Sequence, residues 1–199
     1  IPLLSILLCA VAGSLMLLPP ATQELLYFDY HQLAGGDVWG LATGHWIHAD
    51  TEHLGWNLAG LLVLASLIEL QSRRLLLCSL AIGMLAVDLL LLSPFSELER
   101  YCGLSGLLNT LMGVALYLSW RSRGSPAIAA IGALYLLKIA LELHSGQSVF
   151  TSISWPPYAM AHLAGLLGAP LAWSLGNCTR PMARDTTTGT HYGHLVSSR

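Results

Sequence analysis

Long apolar stretches broken by short polar ones dominate the chain. A membrane-crossing helix needs about 20 mostly apolar residues. Six stretches meet that length within a few residues, at roughly 2–18, 53–70, 75–92, 104–120, 127–143 and 159–176. The first is read as a retained helix. It has no clear small-x-small cleavage site before Pro19-Pro20, and five further spans follow it. The expected fold is an all-α membrane protein with six transmembrane helices. Residues 1–178 form the core, with a long outer loop at 19–52, and residues 179–199 form a flexible tail rich in Ser, Thr, Gly and Arg.

Composition agrees with this pattern. Only 10% of the 199 residues are charged, while 54% are hydrophobic. A soluble globule could not cover that much apolar surface. The net charge of -2 excludes the basic surface of a nucleic-acid binder. The four cysteines, Cys9, Cys78, Cys102 and Cys178, have no CxxC spacing and read as small packing residues. Cys102 would become reactive in an oxidising compartment. The chain begins at Ile1 and not at methionine, so residues are expected to precede it.

Basic residues set the orientation. Seven of the nine lie on one side: Arg73, Arg74, Arg121, Arg123, Arg180, Arg184 and Arg199. By the positive-inside rule both termini are cytoplasmic. The loop 19–52 then faces outward. It carries five acidic residues, no Lys or Arg, and the aromatics Tyr27, Phe28, Tyr30, Trp39 and Trp46, which favour the headgroup zone.

Polar residues inside apolar spans are functional candidates. Span 2 opens with His53-Leu54-Gly55-Trp56-Asn57, span 4 with Gly103-Leu104-Ser105-Gly106, and span 6 contains Ala161-His162-Leu163-Ala164-Gly165 near its start. All three spans run from outside to inside, so these groups share one depth near the outer ends. A serine needs a base before it attacks, and imidazole titrates near neutral pH. Ser105 and His162 are therefore the candidate catalytic pair. The Ser105 N–H at a helix start, with Asn57 and His53 four apart on one face, are candidate oxyanion donors. Gly103 and Gly106 permit a tight turn and close approach around the serine. Gly165 and Ala169 form a small-residue face that would press span 6 onto span 4.

With these motifs the chain resembles the rhomboid family of intramembrane serine proteases. The resemblance covers all six spans. It rests on Gly103-x-Ser105-Gly106, His53-x-x-x-Asn57 and Ala161-His162-x-x-Gly165, with further echoes at Thr43, His48, Glu69 and Leu111-Met112-Gly113. It implies Ser105 as nucleophile and His162 as base in a dyad, with no carboxylate behind the histidine and no cofactor. Two positions depart from the family. Trp39-Gly40 stands where Trp-Arg is common, so the outer loop would be anchored differently. Asn109 stands where a Tyr commonly stacks on the catalytic histidine; an Asn there could hydrogen-bond to His162 instead. A six-span chain of this size resembles the rhombosortase subgroup, which processes proteins ending in Gly-Gly, an apolar helix and a basic tail. The implied partners are the lipid bilayer and transmembrane or C-terminally membrane-anchored substrates, in a bacterial cytoplasmic membrane with the site open to the periplasm.

The remaining polar residues have plainer readings. His45, His48, Asp50, Glu52 and His53 crowd the outer loop, but no HExxH occurs, so loop hydrogen bonding is favoured over a metal. Lys138 and Glu142, four apart in span 5, read as an ion pair or as an outward-reaching lysine. In the family, span 5 borders the lateral entrance for substrates, which gives the pair a second reading as part of a gate. Asp88 reads as solvated at the interface. Rival functions are a catalytically dead rhomboid relative that binds membrane helices and a small transporter or channel. The dead relatives usually lack the serine or the histidine, and no internal repeat suggests a transporter.

Overall fold

A computed structural model describes residues 1–149, 155 and 158–177. Cys178 and the expected tail 179–199 lie outside them. Among the described residues, five helices of 19–20 residues and one of 13 lie in the apolar stretches. The order is α1 (Leu3–Leu15), α2 (Pro20–Glu24), β1 (Phe28–Asp29), α3 (Tyr30–Ala34), α4 (Gly40–Thr43), α5 (Thr51–Glu69), α6 (Arg73–Leu91), β2 (Arg100–Tyr101), α7 (Ser105–Arg123), α8 (Pro126–Ser145) and α9 (Ala159–Asn177).

Local signals set several helix ends. Asp50 caps α5 by accepting from the His53 N–H, Ser72 caps α6 and Ser125 caps α8. Gly124 and Gly146, both at positive φ, close α7 and α8. The first turn of α1 has no local cap. Glu69, at the end of α5, supplies one: its carboxylate accepts from Leu4 N–H, Ser5 N–H and the Ser5 hydroxyl at 2.8–3.1 Å.

Four helices, α5, α6, α8 and α9, are long and apolar enough to cross a membrane. Helix α1 has 13 residues, and α7 falls outside the group although it is 19 residues long. Polar side chains within α7 (Ser105, Asn109, Thr110 and Ser119) lower its apolar content.

Burial is inverted relative to a soluble bundle. Leucines such as Leu67, Leu89, Leu134 and Leu167 are exposed, whereas Asn57, Asn109, Thr110, Glu142 and His162 are buried. That distribution suits a lipid surround, where polar groups must find partners inside the protein. Helix α9 packs chiefly on α6 and α7, and this trio forms the centre. Helix α8 makes few contacts and shows mostly exposed apolar residues.

The outer loop folds into short helices and one strand. Phe28 and Asp29 pair with Tyr101 and Arg100 across β1 and β2. Arg100 is the loop's anchor. Its guanidinium pairs with Glu24 at 2.5 Å and Asp29 at 3.5 Å, and lies 5.1 Å from the Tyr27 ring and 5.5 Å from the Trp155 ring. An arginine within β2 thus holds the loop that Gly40 cannot. Asp88 is not left to solvent: it meets the buried His45 ring at 3.0 Å and ties the outer loop to α6.

Candidate active site

Three helix starts converge on one cavity of about 750 Å³. His53 and Asn57 come from the first two turns of α5, Ser105 is the first residue of α7, and His162 is the fourth residue of α9. All four line the cavity, with Asn109, Lys138 and Glu142 in the same wall.

The turn into α7 explains the glycines around Ser105. Gly103 has φ +108°, a conformation that side-chain-bearing residues rarely adopt. A β-carbon there would stand 2.5 Å from Cε1 and 2.6 Å from Nε2 of His53. The turn is held by the Gly103 N–H donating to Gly44 O at 2.9 Å and the Tyr101 hydroxyl donating to Gly103 O at 3.0 Å. At Gly106, a β-carbon would strike Val87 at 2.6 Å. Gly165 lies against the Gly106 carbonyl with no room for a β-carbon, and Ala169 faces Gly113 one turn further in. The Thr110 hydroxyl donates to Gly165 O at 2.6 Å and locks the two helices in register. This close crossing carries His162 to the level of Ser105.

Two of the candidate donors lie in the cavity wall. The Asn57 amide nitrogen is buried and has no hydrogen-bond partner among the described residues, and neither has His53 Nδ1. The Asp50 carboxylate holds the start of α5 in place through the His53 N–H at 2.7 Å. A buried unpaired donor in a cavity wall favours an acceptor there. Among the described hydrogen bonds none joins Ser105 to His162. Unliganded sites often leave such contacts open.

Asn109 does not bond to His162. Its amide donates to Ser105 O at 2.6 Å and its oxygen accepts from the Tyr135 hydroxyl of α8. The short Asn leaves the histidine to another partner. His162 Nδ1 lies 2.9 Å from Oε2 of Glu142. Lys138 does not reach outward: its ammonium meets both oxygens of that carboxylate at 2.7–2.8 Å. The expectation of a histidine without a carboxylate behind it is therefore corrected. Sequence spacing exposed the Lys138–Glu142 pair, but not the contact across twenty residues to α9.

Outside the helices, Cys102 is buried, and desolvation pushes its thiol up to about 12, which disfavours the thiolate. Burial likewise pushes the Tyr101 phenol up, leaving it a neutral donor. His48 is fully buried beside the ring of His53, with centroids 4.9 Å apart. Burial and then that neighbour push it down to about 3, against weaker opposing effects from the Trp46 backbone and Asp50.

Residues 35–177 match the rhomboid domain family. No curated protein matches the chain significantly. The match spans the three motif-bearing helices, α8 and much of the outer loop, and with the apolar helices around this cavity it makes the chain a multi-pass membrane protein that belongs to the rhomboid family, whose members are typically intramembrane serine proteases.

Proposed function

We propose that this chain is an intramembrane serine endopeptidase with Ser105 as nucleophile and His162 as base. The observation that carries the reading is the convergence of Ser105, His162 and the unpaired Asn57 amide on one cavity. In this reading six helices span a bacterial cytoplasmic membrane, both termini are cytoplasmic and the cavity opens to the periplasm.

A substrate helix reaches the cavity from the lipid and unwinds locally, because a helical peptide bond is shielded by its own hydrogen bonds. Helix-weakening residues such as glycine lower that cost. Ser105 Oγ bonds to the carbonyl carbon while His162 takes its proton. The oxyanion accepts hydrogen bonds from Asn57, His53 and the Ser105 N–H at the start of α7. His162 then protonates the leaving amine as the C–N bond breaks. Water attacks the acyl-enzyme, giving its proton to His162, and Ser105 leaves as the alcohol.

We place the substrate in the class ending in Gly-Gly, an apolar helix and a basic tail, as the rhombosortase resemblance implies; general rhomboid substrates are the alternative. In the first case an amine could replace water and form a new amide. Co-expression with such a substrate tests both levels. Cleavage by wild type that is lost in Ser105→Ala and His162→Ala supports the pair. Cleavage that survives either variant overturns it. Cleavage of a general rhomboid substrate alone keeps the pair and discards the subgroup. A free carboxyl terminus as the sole product would exclude transfer.

A further inference from the structure

One carboxylate in the cavity wall takes no part in the steps above. Glu142 lies in the last turns of α8 and is 1% exposed. Its oxygens receive the Lys138 ammonium at 2.7 and 2.8 Å, and the Val149 N–H approaches Oε1 at 3.4 Å. A further partner is His162 Nδ1 at 2.9 Å. An i,i+4 Lys–Glu pair needs no histidine to be complete. Withdrawing that pair from water is costly, and a cheaper apolar contact would fasten α8 equally well. The third contact is therefore the informative one.

An ionised carboxylate accepts hydrogen bonds and donates none. The ring proton of His162 must then sit on Nδ1, which leaves Nε2 unprotonated on the other edge of the ring. That is the tautomer able to take the Ser105 proton. Once it has done so, the imidazolium lies beside a negative charge. The Lys138 ammonium, 2.7–2.8 Å from both oxygens, is the counter-charge of that carboxylate.

We propose that Glu142 is a positioning residue for His162: it fixes the Nδ1–H tautomer and stabilises the imidazolium, making a Ser105–His162–Glu142 set held in place by Lys138. This rests on the Ser105–His162 reading above. Among the described residues, the titratable or charged groups that share the cavity wall with His162 include Glu142, Lys138 and Tyr135 of α8, His53 of α5, Tyr101 before α7 and Tyr158 before α9.

The test is steady-state cleavage in proteoliposomes across pH, with wild type, Ser105→Ala, Glu142→Gln and Glu142→Asp. Glu142→Gln should lower kcat by about 10²–10⁴-fold with little change in KM, as expected when a histidine loses its orienting carboxylate. The acid limb of kcat/KM should move to lower pH. Glu142→Asp keeps the charge at the expense of length and should retain more activity than Glu142→Gln. A purely structural clamp predicts the reverse order, since Gln is the better isostere; that result, or wild-type kcat in Glu142→Gln, overturns the proposal. Retained cleavage in Ser105→Ala would instead overturn the catalytic reading itself. Should the Glu142 variants fail to fold, nitrogen NMR of histidine-labelled wild type in micelles decides. His162, assigned with His162→Ala, must carry its proton on Nδ1, and a proton on Nε2 overturns the proposal.

Discussion

Gly165 rests directly on the Gly106 carbonyl, with no space for a β-carbon between them. The contact lies one residue past Ser105 and three past His162, so the backbone crossing of α7 and α9 sets the distance between the two. Gly165→Ala must force the helices apart. Overpacking of this kind costs about 1–3 kcal/mol, and here it also moves the histidine. Thermal unfolding in detergent should fall, and cleavage should drop more steeply than stability.

The Thr110 hydroxyl bonds to the Gly165 carbonyl in the same crossing. Thr110→Val keeps the shape and removes the bond. The loss should be about 0.6–1.7 kcal/mol, the range for hydrogen bonds between membrane helices. Reversible unfolding in mixed micelles would measure it, and a change within error would show that the crossing is held by packing alone.

The Asn57 amide behaves oppositely. Among the described residues its nitrogen is buried without a partner, so shortening the side chain breaks no bond donated there. Asn57→Ala should leave the unfolding midpoint unchanged or raise it. It should lower kcat by about 10²–10³-fold, the usual loss for one oxyanion donor. A parallel fall in stability and activity would count against an oxyanion role.

His48 makes stability depend on pH. Burial holds it neutral in the folded protein down to about pH 3, while the unfolded chain titrates near 6.5. Between those values the unfolded state binds more protons, so stability rises with pH. The contribution is complete above about 6.5 and is lost as pH falls toward 3, by at most about 1.4 kcal/mol per pH unit. His48→Phe should flatten the dependence of the unfolding midpoint on pH between 6.5 and 4.

The motif residues at helix starts were legible because each signal is local. The Gly103–Gly106 turn and the Gly165–Ala169 face act within a few residues of themselves, whereas the cap that Asp50 gives α5 emerged only from the structure. Three motifs in spans of one direction also had to share a depth. What spacing could not reveal were contacts between helices far apart in sequence. Glu142 meeting His162, Asn109 turning to Tyr135, Asp88 meeting His45 and Arg100 anchoring the outer loop all depend on how the helices rotate about their axes. A sequence periodicity gives that rotation only within one or two residues.

The sequence by itself determined that the helices are lipid-facing, where they begin, and which serine and histidine lie at a common level. Apolar length and capping chemistry act locally, and the bilayer imposes one depth scale on every span. Tertiary structure alone decided which polar group satisfies which. Inside a bundle most buried donors take an acceptor within reach, and which groups come within reach depends on how closely Gly106 and Gly165 let the backbones approach.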